Sequence, residues 1–587
     1  MSRRRTTSRS LWALFAALGL ASACTAPGDG PATRALPEGV ADLVVTNATV
    51  VTMDDAQPEA QAVAMKDGRF VAVGSDEEVA TWIGDGTEVL DAQGRFVMPG
   101  FIEGHGHYNG LGDTRMILDL TSTTSYEEIV AQVAAAVEEV EPGTWIRGRG
   151  WHQEKWSSTP EGSVDGVPAH DALSAVSPDN PVILTHASGH ASYVNARALE
   201  LAGVDEMTPD PDGGTIVRSA DGRATGLLRE TAAGFVTRAL AASQADQSEA
   251  ERAATFRRQV ELAGAEALSH GVTAFHDAGV SFATVAGLKE LADEGALPVR
   301  LYVMIRAGND LLRANLPDVR VDEYGGGFLT VRSIKVSIDG ALGSHGAWLL
   351  EPYTDLPTTA GLNTVPVPDV EETARIALES GFQLNVHAIG DRANREVLDL
   401  YEAAWAEAGI EGGDLRWRIE HAQHLHPEDI PRFAALGVIP SMQGVHATSD
   451  GPWVPGKLGE WRSRTGAYMW RDLWDSGAIV TNGTDVPVEP ISPIASYHAM
   501  VTRLMNNGER FYPEQSLTRL ESLKAYTINA AWSAFQEDVM GSVTPGKYAD
   551  LAILDRNLLT VSDDDLAAAQ VDVTILGGRV VFERGEG

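Results

Sequence analysis

The residues best suited to chemistry lie in the stretch Val97-Met98-Pro99-Gly100-Phe101-Ile102-Glu103-Gly104-His105-Gly106-His107. Its two histidines stand at i and i+2 after an apolar run, and side chains two apart on a strand share a face. The pair can therefore offer two imidazole nitrogens to one metal ion, with glycines leaving room around it. A His-x-His alone is equally a pair of solvated or hydrogen-bonded histidines, so its meaning depends on the rest of the chain. Four further runs answer it: Lys335 within Ser333-Ile334-Lys335-Val336-Ser337, His387 after Leu384-Asn385-Val386, His421 after Arg418-Ile419-Glu420, and Asp485 within Asn482-Gly483-Thr484-Asp485-Val486-Pro487. Each has an ordinary reading as well. His387 suits a satisfied core histidine, Asp485 a helix cap, and strict alternation does not say whether Glu420 or His421 faces inward. Lys335 is the exception, because a bare ammonium in an apolar strand is costly and needs a partner or a modification. All six at strand ends make a plausible nitrogen and oxygen site for Zn²⁺ or a similar divalent ion.

The elements that must position them are legible as a pattern. Strand-like runs at 95–102, 272–276, 299–305, 330–338, 383–388, 415–421, 438–442 and 478–482 alternate with helical runs such as 248–268, 370–379, 392–408 and 429–436. That alternation marks a parallel sheet with crossover helices, and eight strands predict an α/β fold of the (β/α)8 TIM-barrel kind, with its site at the C-terminal strand ends. The gap between the first two runs is too long for a connection. Residues 113–259 are therefore expected to form an inserted subdomain covering the active site, with the barrel in 98–112 and 260–539. Hairpin-like runs from Leu43 to Val73, with a turn at Lys66-Asp67-Gly68-Arg69, are echoed by Leu551 to Phe582. Neither end buries a core alone, so 41–97 and 540–587 are predicted to pair as one composite β-sandwich.

Charge and the N-terminus bound the setting. With 82 acidic against 45 basic residues the net charge is −37, which argues against nucleic acid or an anionic membrane surface as partner. Arg3, Arg4, Arg5 and Arg9 precede an apolar run from Leu11 that is too short to span a bilayer and ends in Ala21-Ser22-Ala23. Residues 1–23 thus read as a signal peptide. Cys24 follows at once and is the only cysteine; Ala-Ser-Ala-Cys resembles the lipobox of bacterial lipoproteins, in which that cysteine is acylated. Residues 24–40 would be the lipidated Cys and a flexible tether. The expected location is exported, in the cell envelope, lipid-anchored on a periplasmic or extracellular face. The body has no thiolate to offer a metal and no internal disulfide.

The opening motif resembles that of the amidohydrolase superfamily. Lys335-Val336-Ser337-Ile338-Asp339-Gly340-Ala341-Leu342-Gly343-Ser344, Val386-His387-Ala388-Ile389-Gly390-Asp391-Arg392-Ala393, Arg418-Ile419-Glu420-His421-Ala422-Gln423 and Ser441-Met442-Gln443-Gly444-Val445-His446 look like its YtcJ-like branch, amidohydrolase family 3, and Gly189-His190-Ala191-Ser192-Tyr193-Val194-Asn195 resembles a further segment. The likeness runs from about residue 41 to the C-terminus. It departs at Glu103, where aspartate is usual, and at Gly444, where proline is common; neither removes a proposed ligand.

The resemblance implies roles. His105 and His107 would bind the more buried metal, with Asp485 as ligand and general base. Lys335 would be a CO2-derived carboxylated lysine bridging two metals, and His387 and His421 would hold the second; the family varies between one ion and two. Zn²⁺ would acidify its bound water toward pKa about 7. Asp485 would take that water's proton and deliver it to the leaving nitrogen, while the ion, or His421, polarises the carbonyl. His190, the Trp151-His152 region, Asp339 and His446 are candidate pocket residues, with insertion core as the competing reading for His190 and Trp151; His276-Asp277 reads as supporting. The expected function is hydrolysis of a non-peptide C–N bond in a small amide, N-acyl or N-formyl compound. Ester, lactone or phosphoester hydrolysis stays open, as does an inactive binding lipoprotein. A homodimer stays open too, with no membrane contact beyond the lipid anchor.

Overall fold

A computed structural model describes residues 39–245 and 247–585. The signal peptide, Cys24 and most of the expected tether lie outside the described residues. Among those described, no helix is long and apolar enough to cross a membrane.

Eight parallel strands form a nearly closed barrel: β1 (Phe101–Gly106), β2 (Val272–Val280), β3 (Arg300–Ile305), β4 (Leu329–Ser337), β5 (Gln383–Ala388), β6 (Arg418–His421), β7 (Ile439–Gln443) and β8 (Thr481–Gly483). Each pairs in parallel with the next. Six of them, β1, β3, β5, β6, β7 and β8, are buried at every position. That is the pattern of a parallel sheet wrapped in helices, and it explains why these runs read as apolar without alternation. Helices Val367–Ser380 and Asp391–Ala408 supply part of the wrap, each stopped by a left-handed glycine, Gly381 and Gly409.

The seam between β8 and β1 depends on two glycines. A Cβ at Gly104 would sit 2.4 Å from the Asn482 carbonyl oxygen, and one at Gly483 would sit 2.5 Å from the His105 amide nitrogen. Only bare backbone allows the first and last strands to approach so closely, and this approach brings Asp485 to His105.

One expected strand divides. Residues 95–102 are not continuous: Phe96–Pro99 pairs antiparallel with Leu551–Leu554, while Phe101 onward enters the barrel. The chain thus changes sheets at Gly100. Phe96–Pro99 belongs to a six-stranded sheet that joins both chain ends, and it faces a four-stranded sheet built from Leu43–Thr46, Ala62–Lys66, Arg69–Gly74 and Glu88–Asp91. Val45, Val63, Met65 and Phe70 pack across against Val97, Ile553, Val573 and Ile575. The buried pair of Arg300 with Asp550, two bonds of 2.7 and 3.0 Å, ties this sandwich to β3.

Between β1 and β2 the chain builds a six-stranded mixed sheet of its own. In Val182–His186, Val182 and Leu184 face one core while Ile183 faces another, so helices cover both sides. Helix Glu249–Ser269 then leads back to the barrel; it opens with a Ser248/Glu251 capping box and buries Val260, Ala263, Ala267 and Leu268.

Candidate active site

At the C-terminal mouth of the barrel, β1, β6 and β8 converge. His105 lies in β1 and His107 is the residue before helix Tyr108–Thr114. Their Nε2 atoms stand 3.6 and 3.2 Å from Asp485 Oδ1, so two side chains of one strand face do meet a single point. The other oxygen, Oδ2, lies 3.9 Å from His421 Nδ1. Asp485 holds left-handed backbone (φ +57°), and its N–H donates to the His105 carbonyl at 2.8 Å. Strain of this kind persists where surrounding contacts impose it.

The ambiguity of β6 resolves in favour of both residues. Glu420 points into the barrel, where its carboxylate accepts from His105 Nδ1. At His421 the backbone leaves the extended region (φ +77°, followed by +43° at Ala422), which turns its imidazole to the same site. His421 Nδ1 is held at 2.8 Å by Gln443 Oε1. In both His105 and His421, therefore, Nδ1–H is engaged by an oxygen and Nε2 is left as the lone-pair nitrogen, the arrangement of a histidine prepared for a metal. His105 Nε2 and Asp485 Oδ1 are buried with no hydrogen-bond partner among the described residues.

Two donor groups could hold an ion: His105, His107 and Asp485, and His421, His446 and Asp485. His446 enters the second through a ring stacked 6.5 Å from that of His421; the sequence marked it only as a pocket residue. His387 and Lys335 stand beside these groups rather than within them. The ring of His387 lies 4.5 Å from that of His421, and its unpartnered Nε2 lies 3.5 Å from Asp339 Oδ1. Lys335 is 2% exposed and forms no ion pair or hydrogen bond with a described residue; burial brings its ammonium down to about 8. Burial likewise drives the imidazoles of His387 and His421 well below the usual histidine range, favouring neutral rings. Burial alone would raise Asp485, but His107, His105 and His421 hold it well below the carboxylate range.

Other sequence candidates fall elsewhere. Trp151 is not brought to this mouth: it is 2% exposed in the insertion core, packs on Tyr193, and donates Nε1–H to the Leu184 carbonyl at 2.9 Å. Its large apolar ring is consumed by the insertion sheet. Asp339 braces loops instead of lining open space, accepting from the amides of Trp348, Ile389 and Gly390 at 2.8–3.0 Å. Burial nevertheless raises it to about 7. His190 does reach the rim, its ring 6.3 Å from that of His387. Glu103 has a use that its departure from the family pattern did not suggest: its carboxylate accepts the Thr484 amide and anchors the turn that carries Asp485. Glu420 and Gln443 escaped sequence reasoning as orienting groups, although both sit at inward strand positions next to ligand candidates.

Fold and site together define a (β/α)8 barrel whose mouth gathers nitrogen and oxygen donors that could hold a metal ion. Residues 88–582 match the amidohydrolase family, and the chain belongs to that family of metal-dependent hydrolases. It is 34% identical to the protein LONG AFTER FAR-RED 3 of Arabidopsis thaliana, covering 92% of each chain. It is 30% identical to YtcJ of Bacillus subtilis (strain 168), over 91% of this chain and 98% of that one. The N-substituted formamide deformylase of Arthrobacter pascens is 30% identical, with 92% and 98% covered. Among solved structures, an uncharacterized metal-dependent hydrolase from Pyrococcus furiosus superposes with a TM-score of 0.69 at 27% identity, covering 88% of this chain and 100% of that one.

Proposed function

We propose that this chain hydrolyses the C–N bond of a small N-acyl or N-formyl compound with the help of one or two Zn²⁺ ions. The observation that carries the reading is the divided carboxylate of Asp485, one oxygen facing His105 and His107 and the other facing His421. The donors are nitrogen and oxygen only, and buried lone pairs stand unpartnered among them, as a borderline divalent ion requires. His105, His107 and Asp485 would hold the first ion, and His421 with His387 and a carboxylated Lys335 the second. A bound ion supplies an acidified water and a Lewis acid for the acyl oxygen. Asp485 accepts the proton of the attacking water and returns it to the leaving nitrogen as the C–O bond forms and the C–N bond breaks, releasing a carboxylic acid and an amine. Carboxylation would give the unpaired Lys335 a reason to be buried, since the carbamate carries negative charge toward metal and imidazole. The deformylase name of the Arthrobacter pascens relative supports a formamide or related substrate.

The deciding experiment is elemental analysis of the purified protein beside a hydrolysis screen of N-formyl amines, N-acyl amines and matching esters. Tightly bound zinc and turnover of a C–N substrate are expected; metal-free protein indifferent to added Zn²⁺ sinks the reading. Activity should also fall when bicarbonate is stripped at low pH and return when it is resupplied, whereas full activity without bicarbonate contradicts the carboxylated lysine.

We further propose that the enzyme is exported and lipid-anchored through Cys24, on the strength of the Ala21-Ser22-Ala23-Cys24 sequence. Cys24→Ser should move the protein from the membrane fraction to the soluble one, and an unchanged membrane fraction rejects the anchor.

A further inference from the structure

The insertion contributes a paired histidine and carboxylate to the mouth. His190 and Glu230 are cross-strand neighbours: Ala191 pairs with Arg229 in the ladder, and the Glu230 amide donates to the His190 carbonyl at 2.8 Å. Their side chains meet through a 2.8 Å bond between His190 Nδ1 and Glu230 Oε2. Glu230 adopts left-handed backbone (φ +49°, ψ −126°) at the end of its strand, a conformation that a glutamate holds only under constraint.

The constraint is visible on the barrel side. The second oxygen of Glu230 accepts from Ser344 Oγ at 3.2 Å, and Ser344 belongs to the loop that follows β4. A Cβ at Gly346 would stand 3.1 Å from that oxygen, so the loop is shaped around the carboxylate. One carboxylate thus docks the insertion on the barrel and fixes the ring of His190. With Nδ1–H committed to the Glu230 carboxylate, Nε2 is the free end of the ring and makes no hydrogen bond with a described residue. Unlike His105, which is fully enclosed and shares Glu420 with Arg418, His190 is 26% exposed and has the Glu230 charge beside it, so its ring can hold a proton on both nitrogens. The ring lies one step beyond His387 in a file of imidazoles whose centroids run 6.3, 4.5 and 4.6 Å from His190 through His387 and His421 to His105. Burial disfavours the imidazolium, but Glu230, with Asp485 and Asp339 behind it, outweighs that and shifts His190 upward.

We propose that His190, as an imidazolium paired with the Glu230 carboxylate, is a catalytic residue that donates its Nε2–H to the acyl oxygen of the substrate as negative charge develops there, with Glu230 as its positioning residue. The proton stays on Nε2 throughout, so the step is electrostatic stabilisation and transfers nothing. This rests on the proposed hydrolytic reading, but not on which bond is cut, because amides and esters develop the same charged oxygen.

The test uses the full metal-loaded protein and whichever acyl substrate it turns over, amide or ester. His190→Ala should lower kcat by about 10²–10³-fold, as for loss of one oxyanion donor, with KM within a few-fold and metal content and unfolding midpoint unchanged. Glu230→Ala should lower kcat by a smaller factor, and Glu230→Gln, which keeps an acceptor for Nδ1–H, should recover part of that loss. In imidazole NMR at fixed pH, the downfield Nδ1 proton signal of His190 should vanish in Glu230→Ala. A His190→Ala enzyme within threefold of wild type overturns the proposal. So does loss of activity that tracks loss of metal, or a Glu230→Ala enzyme with normal kcat. Turnover of esters alone defeats the C–N reading while leaving His190 testable on those esters; no turnover of either class defeats both.

Discussion

Asp485→Asn should reduce kcat/KM by about 10⁴-fold, the upper end of what a positioned general base contributes, in a protein that still folds. The substitution keeps the shape of the side chain and its place beneath the left-handed turn, where the main-chain N–H bonds His105. It removes the negative charge that His107, His105 and His421 stabilise, and with it the only carboxylate common to both donor groups. The loss should fall on kcat, because the proton is moved in the transition state and not on binding. Steady-state kinetics with circular dichroism as a folding control checks this. A fall of less than tenfold would mean that another group takes the proton.

Glu420→Gln should weaken metal binding by about 10–100-fold, the usual cost of losing the carboxylate behind a ligating histidine. Glu420 engages His105 Nδ1 with one oxygen and lies 3.9 Å from Arg418 with the other. Burial would raise its carboxyl, but His105, Lys335 and Arg418 hold it well below the usual range. A glutamine still accepts a hydrogen bond from Nδ1–H, but it no longer raises the basicity of the ring and leaves Arg418 without a counter-charge. Stability should fall too, since breaking a buried pair costs about 3–5 kcal/mol. Because the folded pKa is depressed, Glu420 stabilises the fold above the ordinary carboxylate pKa, and this support is lost as pH falls toward the folded value. Chelator competition and urea unfolding at two pH values measure both effects. Wild-type zinc affinity in Glu420→Gln would leave His105 with no need of its partner.

Much of the site was legible because it obeys local rules. Spacing of two on a strand set His105 and His107 on one face. The lack of body cysteines confined the donors to nitrogen and oxygen. The apolar setting of Lys335 announced a buried amine, and continuous apolar runs marked barrel strands with both faces covered. The helical runs read at 370–379 and 392–408 fall within a few residues of the helices Val367–Ser380 and Asp391–Ala408.

What only the tertiary structure decided are contacts between residues far apart in sequence. His105 meets Glu420 across 315 positions and Glu103 meets Thr484 across 381, and nothing in either segment encodes its partner. Alternation could not choose between Glu420 and His421 because it holds only for extended backbone, and the chain leaves that region at His421. Trp151 and His190, equal candidates on paper, were separated by packing: the insertion core took the indole, and the strained Glu230 turned the imidazole to the mouth. The sequence by itself determined which donors exist and that His105 and His107 share a face. Closure of the barrel, which brings β8 against β1 through Gly104 and Gly483, decided which of them share a point in space.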